Sequence, residues 1–255
     1  MTLMQFHIQS KILQMGMDVW ALVPDQPHTT QEPWKVLWLL HGGSGDHTSW
    51  VRDTRIEAHA GKYNNLAVIL PHAYHSCFVD MAKGARFGEY IGKELPQIMR
   101  GLLPRLSARR EDNWISGFSN GGYGCLYIGL NNPETFGAIG AYGAGDKADA
   151  DFSYRMQDKE RMFGTGDIKQ SPYCVRRTIL ELAKTNLPKP IVDHGCGEYD
   201  PWRNMNELVR DTFLSVPKDP YQYRFTMIPG DGHTNTCSDA LEESFLRRMM
   251  GSDPE

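Results

Sequence analysis

The stretch that decides the fold is Gly117-Phe118-Ser119-Asn120-Gly121, a G-x-S-x-G pentapeptide. A short apolar run over residues 113–116 precedes it, and an apolar run with several glycines follows it over residues 122–130. These flanks predict a buried strand, a sharp turn and a helix, the context in which such a pentapeptide forms a nucleophile elbow. Glycines on either side of the serine permit a strained turn that larger side chains would block. The pattern therefore predicts that the Ser119 hydroxyl stands above the sheet edge, over a helix N-terminus.

Length and composition favour one large α/β domain over residues 1–255. Of the 255 residues, 40% are hydrophobic and 11% are aromatic, which is enough for a sizeable core. The net charge of −4 and the isoelectric point near 6.1 argue against a nucleic-acid partner held by electrostatics. No apolar run approaches the roughly 18 residues that a membrane-spanning helix needs. We therefore expect no membrane span and no nucleic-acid partner.

The cysteines and the N-terminus predict a cytoplasmic location. The five cysteines are odd in number and scattered, and no C-x-x-C is present. This usage is typical of free thiols in a reducing compartment. The first residues contain neither a basic region nor an apolar region of the kind found in a signal peptide.

Hydrophobic periodicity predicts a mostly parallel sheet with helices on both faces. Alternation of apolar and polar residues over 3–9 and 15–23 predicts two antiparallel edge strands at the N-terminus. Further strands are predicted at residues 35–40, 66–71, 113–116, 136–141, 189–194 and 224–228. Helices are predicted at residues 88–103, 122–130, 173–187, 204–214 and 238–250. Pro96 lies inside the first of these helices and predicts a kink there.

Residues 143–188 do not fit this alternation of strands and helices. They open with a polar, glycine-containing stretch, and a helical pattern appears only towards their end. The segment is compatible with a partial cap inserted over the strand ends, and equally with an ordinary connecting helix that follows a long loop.

A catalytic serine needs a base to take its proton, and the base needs an acid to fix its tautomer. With a G-x-S-x-G elbow, these partners follow along the chain in the order serine, acid, histidine. His233 is the only one of nine histidines that lies in a glycine-rich turn between the last predicted strand and a helix. We therefore predict that Ser119 is the nucleophile and His233 the general base.

Asp200 is the predicted acid of this triad. It follows the strand at 189–194 after a short glycine-containing loop, so its carboxylate can reach the far side of the histidine ring. Glu198 is the nearest competitor, whereas Asp193 still lies in the strand. Asp231 is too close to the histidine along the chain to orient it.

The residues after the strand at 35–40 predict an oxyanion hole. Glycines that directly follow a buried strand allow backbone N–H groups to point at a ligand. The Asn120 N–H at the start of the elbow helix is one expected donor. The Gly43 N–H is the expected second donor, and the Ser44 N–H is the alternative.

Residues further along the same loop are candidates for substrate binding, namely Ser44, His47 and Trp50. A surface histidine and a packing tryptophan are the alternative interpretations of the last two. We predict no metal site, because no H-x-x-x-H, C-x-x-C or paired carboxylate spacing is present. No G-x-G-x-x-G follows the first buried strand, so a dinucleotide site is not indicated either.

The sequence resembles the tributyrin esterase and S-formylglutathione hydrolase (esterase D-like) group of α/β-hydrolases. The matching stretches are LLHGGSGDHTSW (39–50), DMA (80–82), ELP (94–96), RED (110–112), GFSNGGYG (117–124) and GH (232–233). The resemblance implies the α/β-hydrolase fold, the triad and oxyanion donors predicted above, and hydrolysis of short acyl esters without a cofactor. Because dimers are common among such proteins, a homodimer is one expected assembly.

Two positions depart from this family and leave the substrate open. The family often has Met after the serine, where this chain has Asn120, and often has Leu at the position of Gly43. The predicted function is a serine carboxylesterase acting on a small-molecule ester. An acyltransferase, a feruloyl or acetyl-sugar esterase, and a thioesterase like S-formylglutathione hydrolase are alternatives that use the same acyl-enzyme. A non-catalytic binding protein on the same scaffold is a further alternative, which an intact triad disfavours.

Overall fold

A computed structural model describes residues 1–25, 32–153 and 155–251. Its centre is one eight-stranded sheet with the strand order β1-β2-β4-β3-β5-β6-β7-β8. The strands are β1 (Thr2–Ser10), β2 (Met15–Val23), β3 (Lys35–Leu40), β4 (Leu66–Pro71), β5 (Asn113–Phe118), β6 (Ala138–Tyr142), β7 (Ile191–Gly197) and β8 (Arg224–Ile228). All eight predicted strands are present, with ends that shift by a few residues.

The N-terminal edge of the sheet is antiparallel and the rest is parallel. β1 pairs with β2 from Thr2↔Val23 to Ser10↔Met15, and β2 pairs antiparallel with β4. Every pairing from β4 through β8 is parallel. The predicted fold class, a mostly parallel sheet with antiparallel N-terminal edge strands, is confirmed.

Both faces of the sheet are covered by helices. These are α1 (Ser49–Asp53), α2 (Ile56–Ala60), α3 (Phe87–Glu89), α4 (Leu95–Leu102), α5 (Asn120–Asn131), α6 (Met156–Phe163), α7 (Val175–Ala183), α8 (Arg203–Leu214) and α9 (Asn235–Met250). Side chains alternate along β3, so Trp38 packs into the core beneath α5 while Leu37 and Leu39 pack into the core beneath α9. Because both faces are buried, the central strands have the continuous apolar sequence seen at 35–40.

The helix predicted at residues 88–103 is present as a continuous segment from Phe87 to Leu102. It consists of α3, a π-helical turn at Tyr90–Glu94, and α4. Pro96 is the second residue of α4, just after the π-helical turn ends at Glu94. A proline is tolerated at the first positions of a helix, where its missing N–H costs no helical hydrogen bond.

The segment 143–188 has two structurally different parts. Short 3-10 turns at Lys147–Asp149 and Ile168–Gln170 flank α6, and this first part borders a cavity of about 920 Å³. The later part is α7, which packs against α5 and α8. Hydrogen bonds from Ala82 N to Met162 O and from Lys83 N to Arg161 O join α6 to the loop after β4.

Two further observations concern membranes and metals. Within residues 1–25, 32–153 and 155–251, no helix is both long enough and apolar enough to cross a membrane. Over the same ranges, no three His, Cys, Asp or Glu side chains are grouped so as to hold a metal ion.

Candidate active site

A large cavity lies at the carboxyl ends of the central parallel strands. β4 lies on one side of β3 and β5 on the other, so the chain reverses its direction of travel across the sheet at this point. Such a switch point leaves a crevice between the loops that follow the two strands. The cavity has a volume of about 920 Å³ and is bordered by the loops after β3, β5, β6, β7 and β8.

Ser119 occupies the turn between β5 and α5 in a strained conformation. Its φ is 59° and its ψ is −119°, a backbone conformation that residues other than glycine rarely adopt. The turn is held because the Ser119 N–H donates to Tyr142 O at 2.7 Å. A Cβ on Gly121 would lie 2.4 Å from Leu40 O, so only glycine lets α5 start this close to β3. This is the elbow geometry that the sequence predicts.

His233 and Asp200 form a hydrogen-bonded pair at the edge of the same cavity. His233 Nδ1 lies 2.8 Å from Asp200 Oδ2. A carboxylate can only accept, so Nδ1 carries the proton and the acceptor lone pair is on Nε2. Asp200 is only 4% exposed, and its other oxygen accepts from the Trp202 N–H at 2.8 Å. Ser119 and His233 both border the cavity, so the structure brings the predicted residues to one site.

The competing carboxylates have other partners. Glu198 accepts from the Gly230 N–H at 2.9 Å, and Asp231 accepts from the Gly232 N–H at 2.7 Å. Asp193 forms ion pairs with Arg224 and Arg248 and does not border the cavity. Each is thus held in a structural contact, and Asp200 alone among these carboxylates contacts the histidine.

A buried histidine shapes the loop that carries the predicted oxyanion donor. His41 Nδ1 lies 2.7 Å from Gly42 O, and the Ala73 N–H donates to His41 Nε2 at 3.2 Å. Burial lowers the pKa of His41 to about 4, so the ring is neutral and can serve as donor and acceptor at once. The ring fixes the start of the loop, and a Cβ on Gly42 would lie 3.8 Å from the Ser119 Cβ.

The predicted substrate-binding residues have different positions. Ser44 and Trp50 border the cavity, although Trp50 is largely buried and donates its indole N–H to Leu40 O at 2.9 Å. His47 does not border this cavity in the described structure, because its ring packs against Trp20 and His72 at centroid distances of 5.3 and 5.6 Å. Its place after the glycine-rich loop did not reveal which way the side chain points.

Sequence reasoning missed three residues that shape the site. Phe118 and Trp202 pack against His233, with ring centroids 4.3 and 4.6 Å away. Lys147 borders the cavity and donates from Nζ to Asn120 Oδ1 at 2.8 Å. Lys147 and Trp202 each follow the carboxyl end of a predicted strand by a few residues, and this position was an available signal.

A buried carboxyl group lies beneath the elbow strand. Glu242 on α9 hydrogen-bonds to Ser116, three residues before the nucleophile. Burial raises the pKa of Glu242 to about 8, against the opposing effect of the Ser116 hydrogen bond. This contact ties the helix that follows His233 to the strand that carries Ser119.

Comparison with known proteins assigns the family. The family described as Putative esterase matches residues 10–146, which include the oxyanion loop and the elbow. The chain belongs to this esterase family. An acetyl esterase of Caldicellulosiruptor saccharolyticus is 35% identical over 147 residues, and the match covers 54% of each protein. The chain thus spans about half the length of this curated relative.

Solved structures of esterase relatives match almost the whole chain. FphF, a fluorophosphonate-binding serine hydrolase of Staphylococcus aureus, superposes with a TM-score of 0.83 at 26% identity, covering 97% of this chain and 98% of that one. The S-formylglutathione hydrolase FrmB of the same organism gives a TM-score of 0.82 at 26% identity, with the same coverage. The fold is therefore that of the α/β-hydrolases, and the resemblance to the esterase D-like group is confirmed.

Proposed function

We propose that the protein is a serine carboxylesterase that hydrolyses short-chain acyl esters of small molecules. One observation carries this proposal: the hydrogen-bonded His233–Asp200 pair borders the same cavity as a serine in the strained elbow conformation. Membership in the esterase family and the similarity to serine hydrolases of the same fold support it.

The proposed reaction follows from the proton positions. His233 Nε2 accepts the proton of the Ser119 hydroxyl as its oxygen attacks the ester carbonyl, and Asp200 stabilises the imidazolium that forms. The negative charge on the carbonyl oxygen is bound by backbone N–H groups of Gly43 and Asn120. Asn120 is the first residue of α5, so the helix itself does not use its N–H. His233 then protonates the leaving alcohol, and water releases the acyl group by the reverse sequence.

The similar proteins limit the range of candidate acyl groups, but they do not limit the alcohol part of the substrate. The acetyl esterase at 35% identity favours a short acyl group. Short acyl thioesters are the second candidate substrates, because the S. aureus neighbour at 26% identity is an S-formylglutathione hydrolase. A panel of p-nitrophenyl esters and matched thioesters of increasing acyl length distinguishes these candidates.

The direct test is Ser119→Ala. We expect this variant to keep the fold and to lose hydrolysis of p-nitrophenyl acetate, and we expect a fluorophosphonate probe to label the wild type but not the variant. Circular dichroism establishes that the variant is folded. Hydrolysis by the folded variant at the parent rate would refute the assignment of Ser119 as nucleophile.

The remaining expectations concern organisation and location. We propose that residues 1–255 form one domain in which the part of 143–188 around α6 acts as a partial cap, since that part borders the cavity. We also propose a cytoplasmic location, because all five cysteines are free thiols. A homodimer stays a prediction that light scattering can test.

A further inference from the structure

Lys147 is joined directly to the residue that follows the nucleophile. Its Nζ donates to the side chain of Asn120, the residue that follows Ser119, and its charge lies 5.7 Å from the centroid of the buried Tyr123 ring. An ammonium group has three N–H donors, and Asn120 takes one of them. The other two can meet a ligand in the cavity that Lys147 borders.

The same contact fixes the orientation of the Asn120 amide. Lysine can only donate, so Oδ1 of Asn120 is the atom that faces it, and Nδ2 faces the oxyanion loop. A Cβ on Gly43 would lie 2.7 Å from Asn120 Nδ2 and 3.3 Å from its Cγ. The two departures from the family, Gly43 and Asn120, therefore depend on each other. Because residue 43 has no side chain, there is space beside it for the Asn120 amide.

Lys147 and His233 contact different neighbours of Ser119. The histidine ring packs on Phe118, the residue before the serine, whereas the lysine binds the residue after it. The histidine must reach the leaving group to protonate it. The acyl group leaves the carbonyl carbon in a different direction, and Asn120, whose amide Lys147 binds, is available to contact it.

Among the described residues, no carboxylate forms an ion pair with Lys147. Asp149 borders the cavity two residues further on, but Arg176 pairs with it at 2.7 Å. Asp151 also borders the cavity and accepts from the Ser153 N–H at 2.8 Å. The contact that Lys147 itself makes is with a neutral amide, so its positive charge remains available to a substrate.

From this arrangement we propose that Lys147 determines acyl specificity and selects short acyl groups that end in a carboxylate, such as monoesters of small dicarboxylic acids. The proposal rests on the proposed esterase function and adds the acyl class. The ammonium group binds the distal carboxylate by a charge-assisted hydrogen bond, while the Asn120 amide lies alongside the acyl chain.

The test compares monoethyl succinate with ethyl 4-oxopentanoate, its neutral isostere of equal length. Ethanol release gives kcat/KM for each ester, and the readout is the ratio of the two values. We expect the wild type to favour the succinate and Lys147→Met to reduce the ratio by about tenfold. Lys147→Arg keeps the charge and should retain most of the preference. Lys184→Met removes an equal charge from an exposed position at the end of α7 and should not change the ratio.

The outcomes separate the two proposals. If Lys147→Met slows both esters equally, the lysine only supports Asn120, and the specificity proposal is wrong. The same holds if the wild type cleaves only the neutral ester, although the esterase function then stands. If the wild type cleaves neither ester, nor p-nitrophenyl acetate, the proposed function fails and the acyl specificity fails with it.

Discussion

Among the histidine–aspartate pairs of the described residues, two have a buried aspartate, and these two have different surroundings. His233 bonds to Asp200 at 2.8 Å, and His59 bonds to Asp239 at 3.0 Å. The second nitrogen of His59 is buried and lies 3.7 Å from the carboxylate of Glu243. His233 instead borders the cavity of Ser119 and is 17% exposed at its side chain, against 4% for His59.

The aspartates differ in the same sense. Asp239 binds the backbone and the guanidinium of Arg55 as well as His59. Burial acts to raise the pKa of Asp239, but the hydrogen bonds of Arg55 outweigh it and hold the pKa below its usual value. A histidine–aspartate pair is therefore a structural clamp when cations and carboxylates surround it. It becomes a candidate catalytic pair only where one ring nitrogen reaches a nucleophile.

The largest expected effect separates the two histidines by activity. His233→Gln should lower kcat for p-nitrophenyl acetate by roughly 10⁵-fold, because the serine then has no base. The melting temperature should stay close to that of the wild type. Retention of substantial activity in this variant would show that another group takes the serine proton.

The aspartates should differ by a somewhat smaller factor. Asp200→Asn is expected to reduce kcat by about 10⁴-fold, because an amide can favour the wrong histidine tautomer. Asp239→Asn is the matched change in the clamp and should retain turnover. Steady-state kinetics give kcat for the two variants. Equal losses of kcat would contradict a catalytic role that belongs to Asp200 and not to Asp239.

Glu242 offers a second comparison with Asp239, because both carboxyl groups lie on α9. Asp239 is bound by Arg55 and His59, whereas Glu242 hydrogen-bonds to the Ser116 hydroxyl. Its pKa of about 8 in the folded protein exceeds the ordinary 4.5, so the folded state binds the proton more tightly. The free energy of unfolding should therefore fall as pH rises from about 4.5 to about 8, by on the order of 5 kcal/mol. Urea unfolding of Glu242→Gln should lack this part of the pH dependence. Identical pH profiles of stability for the wild type and the variant would show that Glu242 does not cause this pH dependence.

The smallest expected effect is that of removing His59 from its pair with Asp239. His59→Leu removes one partner of a buried carboxylate that keeps its contact with Arg55, so the free energy of unfolding should fall by about 2 kcal/mol. Esterase activity of the folded variant should persist. Loss of activity without loss of stability would mean that His59 acts in catalysis.

Much of the fold and of the candidate site follows from local sequence patterns. The central strands, the elbow and the turns that hold Asp200 and His233 were predictable because apolar runs end in glycine-rich turns at the carboxyl edge of the sheet. α1 and α2 were missed, since five residues are too few to display a helical period.

Contacts between distant segments could not be predicted in this way. Lys147 and Asn120 are 27 positions apart, and Ser116 and Glu242 are 126 apart. Neither pair leaves a periodic or motif-like trace, because each depends on how the loops and helices pack. The direction of the His47 side chain could not be predicted for the same reason, because its ring packs against those of Trp20 and His72.

The last helix makes three attachments that matter together. α9 begins two residues after His233, binds α2 through Asp239 and contacts the elbow strand through Glu242. Partial detachment of this helix on heating would misalign the base while the sheet is still intact. Heat inactivation should thus set in at temperatures below global melting, and crosslinking α9 to its neighbours offers a route to a more heat-tolerant enzyme.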